Sequence, residues 1–115
     1  MGSSGSKIIS STKTMDPKVH KFIKSAITKD KVVIFSKTYC PYCKMAKEVF
    51  SKVNQPFEVV ELDQQAQGDA IQDNLALMTG FRTVPQVFIN GTCVGGGSDV
   101  KALYEAGTLE SMLIG

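Results

Sequence analysis

Residues 31–50 read Lys-Val-Val-Ile-Phe-Ser-Lys-Thr-Tyr-Cys-Pro-Tyr-Cys-Lys-Met-Ala-Lys-Glu-Val-Phe, and a change of pattern inside them decides the fold. Val32 to Phe35 is a short, apolar, largely β-branched run, as a strand buried on both faces would be. Beyond it Met45, Ala46, Val49, Phe50 and Val53 fall at helical spacing. Cys40 and Cys43 therefore lie where a strand turns into a helix.

The rest of the chain arranges itself around this junction. Upstream, Asp16-Pro17 is a helix start, with a side-chain oxygen to cap free amides and a ring whose missing N–H costs nothing at the first position. Val19, Phe22, Ile23, Ala26 and Ile27 then build one apolar stripe. Downstream, Phe57 to Leu62 reads as a second strand, and Asp69 to Met78 as a helix with Ile71, Leu75 and Met78 inward, ended by Gly80. Gln86 to Ile89 and Thr92 to Val94 flank Asn90-Gly91, a strong signal for a tight hairpin. Ser98 or Asp99 caps a helix carrying Val100, Leu103 and Tyr104, and a last turn or two from Thr108 buries Leu109, Met112 and Leu113. A helical crossover makes the first strand pair parallel, and a two-residue turn makes the last pair antiparallel. The expected fold class is α/β, a four-stranded mixed sheet flanked by helices on both faces.

A chain of 115 residues that is 43% hydrophobic is one domain with one core. Thirteen Lys and Arg against 11 Asp and Glu leave a net charge of +2, interspersed without a basic run, which argues against a nucleic-acid partner. The apolar stretches fall far short of the roughly 20 residues a membrane-spanning helix needs. No basic segment followed by an apolar run opens the chain, so the expectation is a soluble, cytoplasmic monomer without stable membrane association. Met1 to Thr14, rich in Ser, Gly and Thr, is expected to be a flexible tail, with the domain running from Met15 to Gly115. Its opening, Met1-Gly2-Ser3-Ser4-Gly5-Ser6, fits either an N-myristoylation signal at Gly2 or a vector-encoded leader.

Three cysteines cannot staple a fold, so each needs its own explanation. Cysteines at i and i+3 in a first helical turn lie on one side, close enough for a disulfide. Cys40 faces the unpaired amides and positive dipole end of the helix, and Lys37 adds a charge three residues upstream; both favour thiolate over thiol. Cys40 is therefore the expected nucleophile. Cys43, one turn inward, lacks those amides and suits the thiol that resolves a mixed disulfide. The competing reading, a zinc half-site completed by Cys93 and His20, lacks ligand spacing, and no metal is expected. His20 is read as a solvated helix residue. Cys93 is read as a packed structural thiol, with regulatory oxidation as the alternative.

Cys40-Pro41-Tyr42-Cys43, in the context Ser36-Lys37-Thr38-Tyr39, closely resembles the active site of the dithiol glutaredoxins. Thr83-Val84-Pro85 and Gly95-Gly96-Gly97-Ser98-Asp99 are similar to that family's other signatures, in the same order, and the resemblance covers the chain from about Asp16 onward. It implies a thioredoxin-like fold, a cis Pro85 facing the cysteines, and glutathione as co-substrate. It further implies that Lys37 and Gln72, helped by Arg82, hold the glycine carboxylate. Tyr42 shapes the groove, and the Val84 backbone pairs with the peptide beside Thr83 and Pro85. Gly95 and Gly96 allow close approach, and the amides at Ser98 and Asp99 take the γ-glutamyl carboxylate while the Asp99 side chain accepts the ammonium. The implied activity is reduction of glutathionylated mixed disulfides and some protein disulfides. The alternative within the same family is an iron–sulfur cluster carrier that uses Cys40 and glutathione in a dimer. Pro41 argues against it, because a ring there stiffens the loop and removes an amide.

Overall fold

The computed structural model describes residues 15–114. The tail Met1 to Thr14, with its acylation and leader readings, and Gly115 lie outside the described residues. Helix α1 spans Pro17–Lys29, and Asp16 caps it by accepting from the Lys18 and Val19 amides at 2.9 and 3.3 Å. Strand β1, Val32–Ser36, leads through Lys37 to Tyr39 into α2, Pro41–Lys52. Strand β2, Glu58–Glu61, is followed by a 3-10 turn, Leu62–Gln64, and by α3, Gly68–Thr79. Gly80 ends α3 with a left-handed φ of 92°. Strands β3, Gln86–Ile89, and β4, Thr92–Gly95, precede α4, Gly97–Glu105, and α5, Leu109–Ile114.

The sheet order is β2-β1-β3-β4, with β1 parallel to β2 and antiparallel to β3, and β3 antiparallel to β4. The hairpin closes at Asn90 and Gly91, both with positive φ, as a turn matched to the strands' twist demands. Because β1 is central, its side chains alternate between two cores. Val33 and Phe35 meet α1 and α3 through Val19, Ile23, Ile27, Ile71 and Leu75. Val32 and Ile34 meet α2, α4 and α5 through Ala46, Val49, Phe50, Val100, Leu109 and Leu113. This is the expected α/β architecture, and its details correct three expectations. Phe22 is 41% exposed, since the inward face of α1 narrows to Val19, Ile23 and Ile27. His20 is half-buried rather than solvated, and its Nδ1 is enclosed with no partner among the described residues. Helix α4 starts at Gly97 with Gly96 as its N-cap, so Ser98 and Asp99 lie inside the first turn, from which the Asp99 carboxylate reaches back to cap the Gly96 amide.

No described helix is long and apolar enough to cross a membrane. Among the described residues no three His, Cys, Asp or Glu side chains converge on a point that could hold a metal ion.

Candidate active site

Cys40 is the N-cap of α2, and its Sγ accepts from the Cys43 amide at 3.2 Å. An N–H aimed at the sulfur, together with the positive end of the helix, stabilises negative charge there. Cys40 is partly exposed, whereas Cys43 is fully buried beneath it. Burial pushes the Cys43 thiol up from 9.0 to about 11, aided by its hydrogen bond with Cys40. The two sulfurs thus differ as a nucleophile and a reserve thiol should. Lys37 sits half-buried in the turn after β1, and its carbonyl accepts from the Cys40 amide at 3.1 Å.

A second loop, Phe81 to Pro85, faces the cysteines. The Val84–Pro85 peptide bond is cis, and the Val84 carbonyl accepts from Cys40 Sγ at 3.8 Å. Pro85 is buried, Val84 half-buried and Thr83 exposed. Gln72 lies away from the solvent-facing groove. It is only 5% exposed, its Nε2 donates to the Arg82 carbonyl at 2.7 Å, and its Oε1 is buried without a partner among the described residues. The side chain placed in the open there is that of Arg82, whose Nε pairs with Asp73 Oδ1 at 2.8 Å.

The start of α4 completes the site. A Cβ at Gly97 would stand 2.6 Å from the Tyr42 carbonyl, so glycine lets α4 begin against the first turn of α2. Gly95 has a φ of 117°, and a side chain there would collide with the Asp99 carboxylate. Asp99 Oδ2 accepts from the Gly96 amide at 2.8 Å, Ser98 is exposed beside it, and Tyr42 is 54% exposed. Cys40, Tyr42, Lys37, Val84, Gly96, Ser98 and Asp99 therefore belong to two helix starts and two loops around one thiol. Cys93 is half-buried on β4, packed against the α1–α3 core, and burial raises its thiol.

Sequence reasoning missed two contacts that hold these loops. Thr38 donates its amide, at 3.0 Å, and its hydroxyl to the Asp63 carboxylate, tying the turn before Cys40 to the segment after β2. Gln86, fully buried, lashes the Phe81–Thr83 backbone. Its signal in the sequence is a lone amide in front of Val87-Phe88-Ile89; nothing in the sequence pairs Thr38 with Asp63 across 25 residues.

A reactive Cys-x-x-C at a strand-to-helix junction, facing a cis-proline loop on a four-stranded mixed sheet, defines a dithiol oxidoreductase of the thioredoxin-like fold. The family model described as glutaredoxin matches residues 32–94. The chain is 52% identical over 92 residues to glutaredoxin-C4 of Arabidopsis thaliana, covering 80% of this chain and 68% of that one. It is 49% identical over 87 residues to the bovine mitochondrial glutaredoxin-2, covering 76% of this chain and 55% of that relative, so it spans about half of the mammalian protein. The crystal structure of a buckwheat glutaredoxin–glutathione complex superposes with a TM-score of 0.83 at 39% identity, over 85% of this chain and 89% of that one. The chain belongs to the glutaredoxin family as a dithiol member, a glutathione-dependent thiol–disulfide oxidoreductase.

Proposed function

We propose that Cys40 thiolate attacks the glutathione sulfur of a mixed disulfide between glutathione and a protein or small thiol. The substrate sulfur leaves as thiolate and takes a proton, and Cys40 becomes glutathionylated. One further glutathione thiolate then attacks that glutathione sulfur, releasing oxidised glutathione and regenerating Cys40. Alternatively Cys43 thiolate attacks Cys40 Sγ, expels glutathione thiolate and closes the Cys40–Cys43 disulfide, the same closure that releases a reduced dithiol when the substrate is a protein disulfide; two glutathiones then reopen it and leave as oxidised glutathione. The observation that carries this reading is the sulfur of the partly exposed Cys40 held at 3.2 Å from the Cys43 amide, above a fully buried second thiol.

The glutathione lies along the groove from Lys37 to α4. Lys37 and Arg82 take the glycine carboxylate, with Gln72 acting through the Arg82 carbonyl it holds. The Val84 backbone, between Thr83 and Pro85, pairs with the central peptide unit, and Tyr42 walls the groove. The amides at Gly96, Ser98 and Asp99 take the γ-glutamyl carboxylate, and Asp99 Oδ1 accepts the ammonium while Oδ2 keeps the Gly96 amide. The buckwheat relative's glutathione complex supports glutathione as the ligand. Three free thiols suit a reducing compartment, and the proposed setting is a cytoplasmic monomer, to be checked by cell fractionation and analytical ultracentrifugation.

The test is steady-state, glutathione-dependent reduction of a glutathionylated peptide. Cys40→Ser falls to background and Cys43→Ser keeps most of the activity; turnover by Cys40→Ser above background overturns the nucleophile assignment. An inactive wild type that purifies anaerobically as a brown dimer transfers the site to cluster carriage.

A further inference from the structure

Gln86 opens β3 directly after the cis bond and is fully buried. Nε2 donates to the Phe81 carbonyl at 2.6 Å and to the Thr83 carbonyl at 3.3 Å, while Oε1 lies 3.0 Å from the Thr79 hydroxyl, which also stands 2.8 Å from the Leu75 carbonyl. Gln72 holds the carbonyl between them, that of Arg82, at 2.7 Å. Three consecutive carbonyls are thus tied to side-chain amides, and the fourth, Val84, meets Cys40 Sγ.

We infer that Gln86 is a positioning residue of the thiol site: by tying the Phe81 and Thr83 carbonyls it sets the Val84 carbonyl against the Cys40 sulfur and against the incoming glutathione peptide. Packing alone does not call for an amide at this position, because an apolar residue would fill it without partners to satisfy. The Val84 carbonyl accepts from Cys40 Sγ at 3.8 Å and the Cys43 amide donates to the same sulfur at 3.2 Å, so the two contacts together fix where the sulfur stands. The placement of that carbonyl therefore sets the position and accessibility of the nucleophile. It also aligns the backbone edge on which the substrate is laid, a consequence that rests on the glutathione reading above.

Gln86→Met, of nearly equal length, removes the ties and leaves the strand apolar. Two readouts are needed. Peptide-resolved alkylation of Cys40 by iodoacetamide, followed at several fixed pH values, requires no turnover; in the variant its rate rises about threefold or more, because the Val84 carbonyl no longer stands against the sulfur. The KM for a glutathionylated peptide rises on the order of tenfold or more, exceeding any fall in kcat, since misplaced binding groups cost alignment. Thr79→Val, which removes the hydroxyl beside Gln86 Oε1 and the Phe81 backbone while leaving both Nε2 ties, shifts both in the same direction by less, and it carries the test if Gln86→Met does not fold. Folded variants with wild-type alkylation profiles overturn the inference, whatever happens to their melting temperature. A shifted alkylation profile in a protein without glutathione turnover upholds it and overturns the glutathione reading instead.

Discussion

The resolving step offers the sharpest numerical test, because burial has opposite effects on the two quantities that set its rate. Raising Cys43 from 9.0 to about 11 shrinks its thiolate population at neutral pH by about a hundredfold. The same two units make the thiolate intrinsically more nucleophilic, by roughly tenfold for a Brønsted coefficient of about 0.4–0.5. Population wins, and attack by Cys43 on glutathionylated Cys40 runs up to about tenfold slower at pH 7 than it would with an ordinary thiol. Glutathionylation removes the Cys40 hydrogen bond and charge that raise Cys43, leaving desolvation, its largest cause, against the lowering hydrogen bonds from Lys37 and Ser36. The assay is stopped-flow release of glutathione from protein glutathionylated at Cys40, in a Cys93→Ser background to leave one resolving thiol. The release rate should climb about tenfold per pH unit and still be rising at pH 9, and Cys43→Ser should release nothing. A plateau at or below pH 8 would refute the argument that burial governs this thiol.

Two further expectations concern stability. The Thr38 hydroxyl and amide hold the Asp63 carboxyl below its ordinary 3.8, with Lys37 assisting, so this clasp contributes stability that is present above pH 3.8 and lost as pH falls through the depressed value. Asp63→Asn should melt below wild type at pH 6, and the two melting temperatures should converge in strong acid; a gap independent of pH contradicts the linkage. Phe50 is fully buried between α2 and the sheet, with its ring 6.1 Å from that of Phe57. Phe50→Ala should cost about 3–5 kcal/mol in urea unfolding, and a loss below about 1 kcal/mol would mean that the α2 face is not the packed core described.

Much of this architecture is legible in short-range patterns. Asp16-Pro17 starts α1, Gly80 stops α3, and Asn90-Gly91 closes the hairpin, because each depends on a backbone conformation or a cap that its own residues supply. Cys40 at a helix start is equally local: its neighbour's amide reaches the sulfur from three residues away. Where expectation and structure part, the cause is a contact between distant segments. Phe22 satisfies helical periodicity yet stays 41% exposed, outside the core cluster that takes in Val19, Ile23, Ala26 and Ile27. The glycines before Ser98 and Asp99 allow α4 to begin earlier, against Tyr42, which no local pattern reveals.

The sequence by itself determined the class of fold, the family and the place of Cys40 and Cys43 at a helix start, since all three rest on residue types at fixed spacing along the chain. It could not say which face of the sheet each residue of the uniformly apolar β1 serves; the cover on both sides sends Val33 and Phe35 one way and Val32 and Ile34 the other. Nor could it separate Gln72 and Gln86, which hold backbone carbonyls in the interior, from groups that meet a ligand. An amide serves either purpose equally well, and only the positions of the carbonyls around it, brought in by the tertiary structure, decide which.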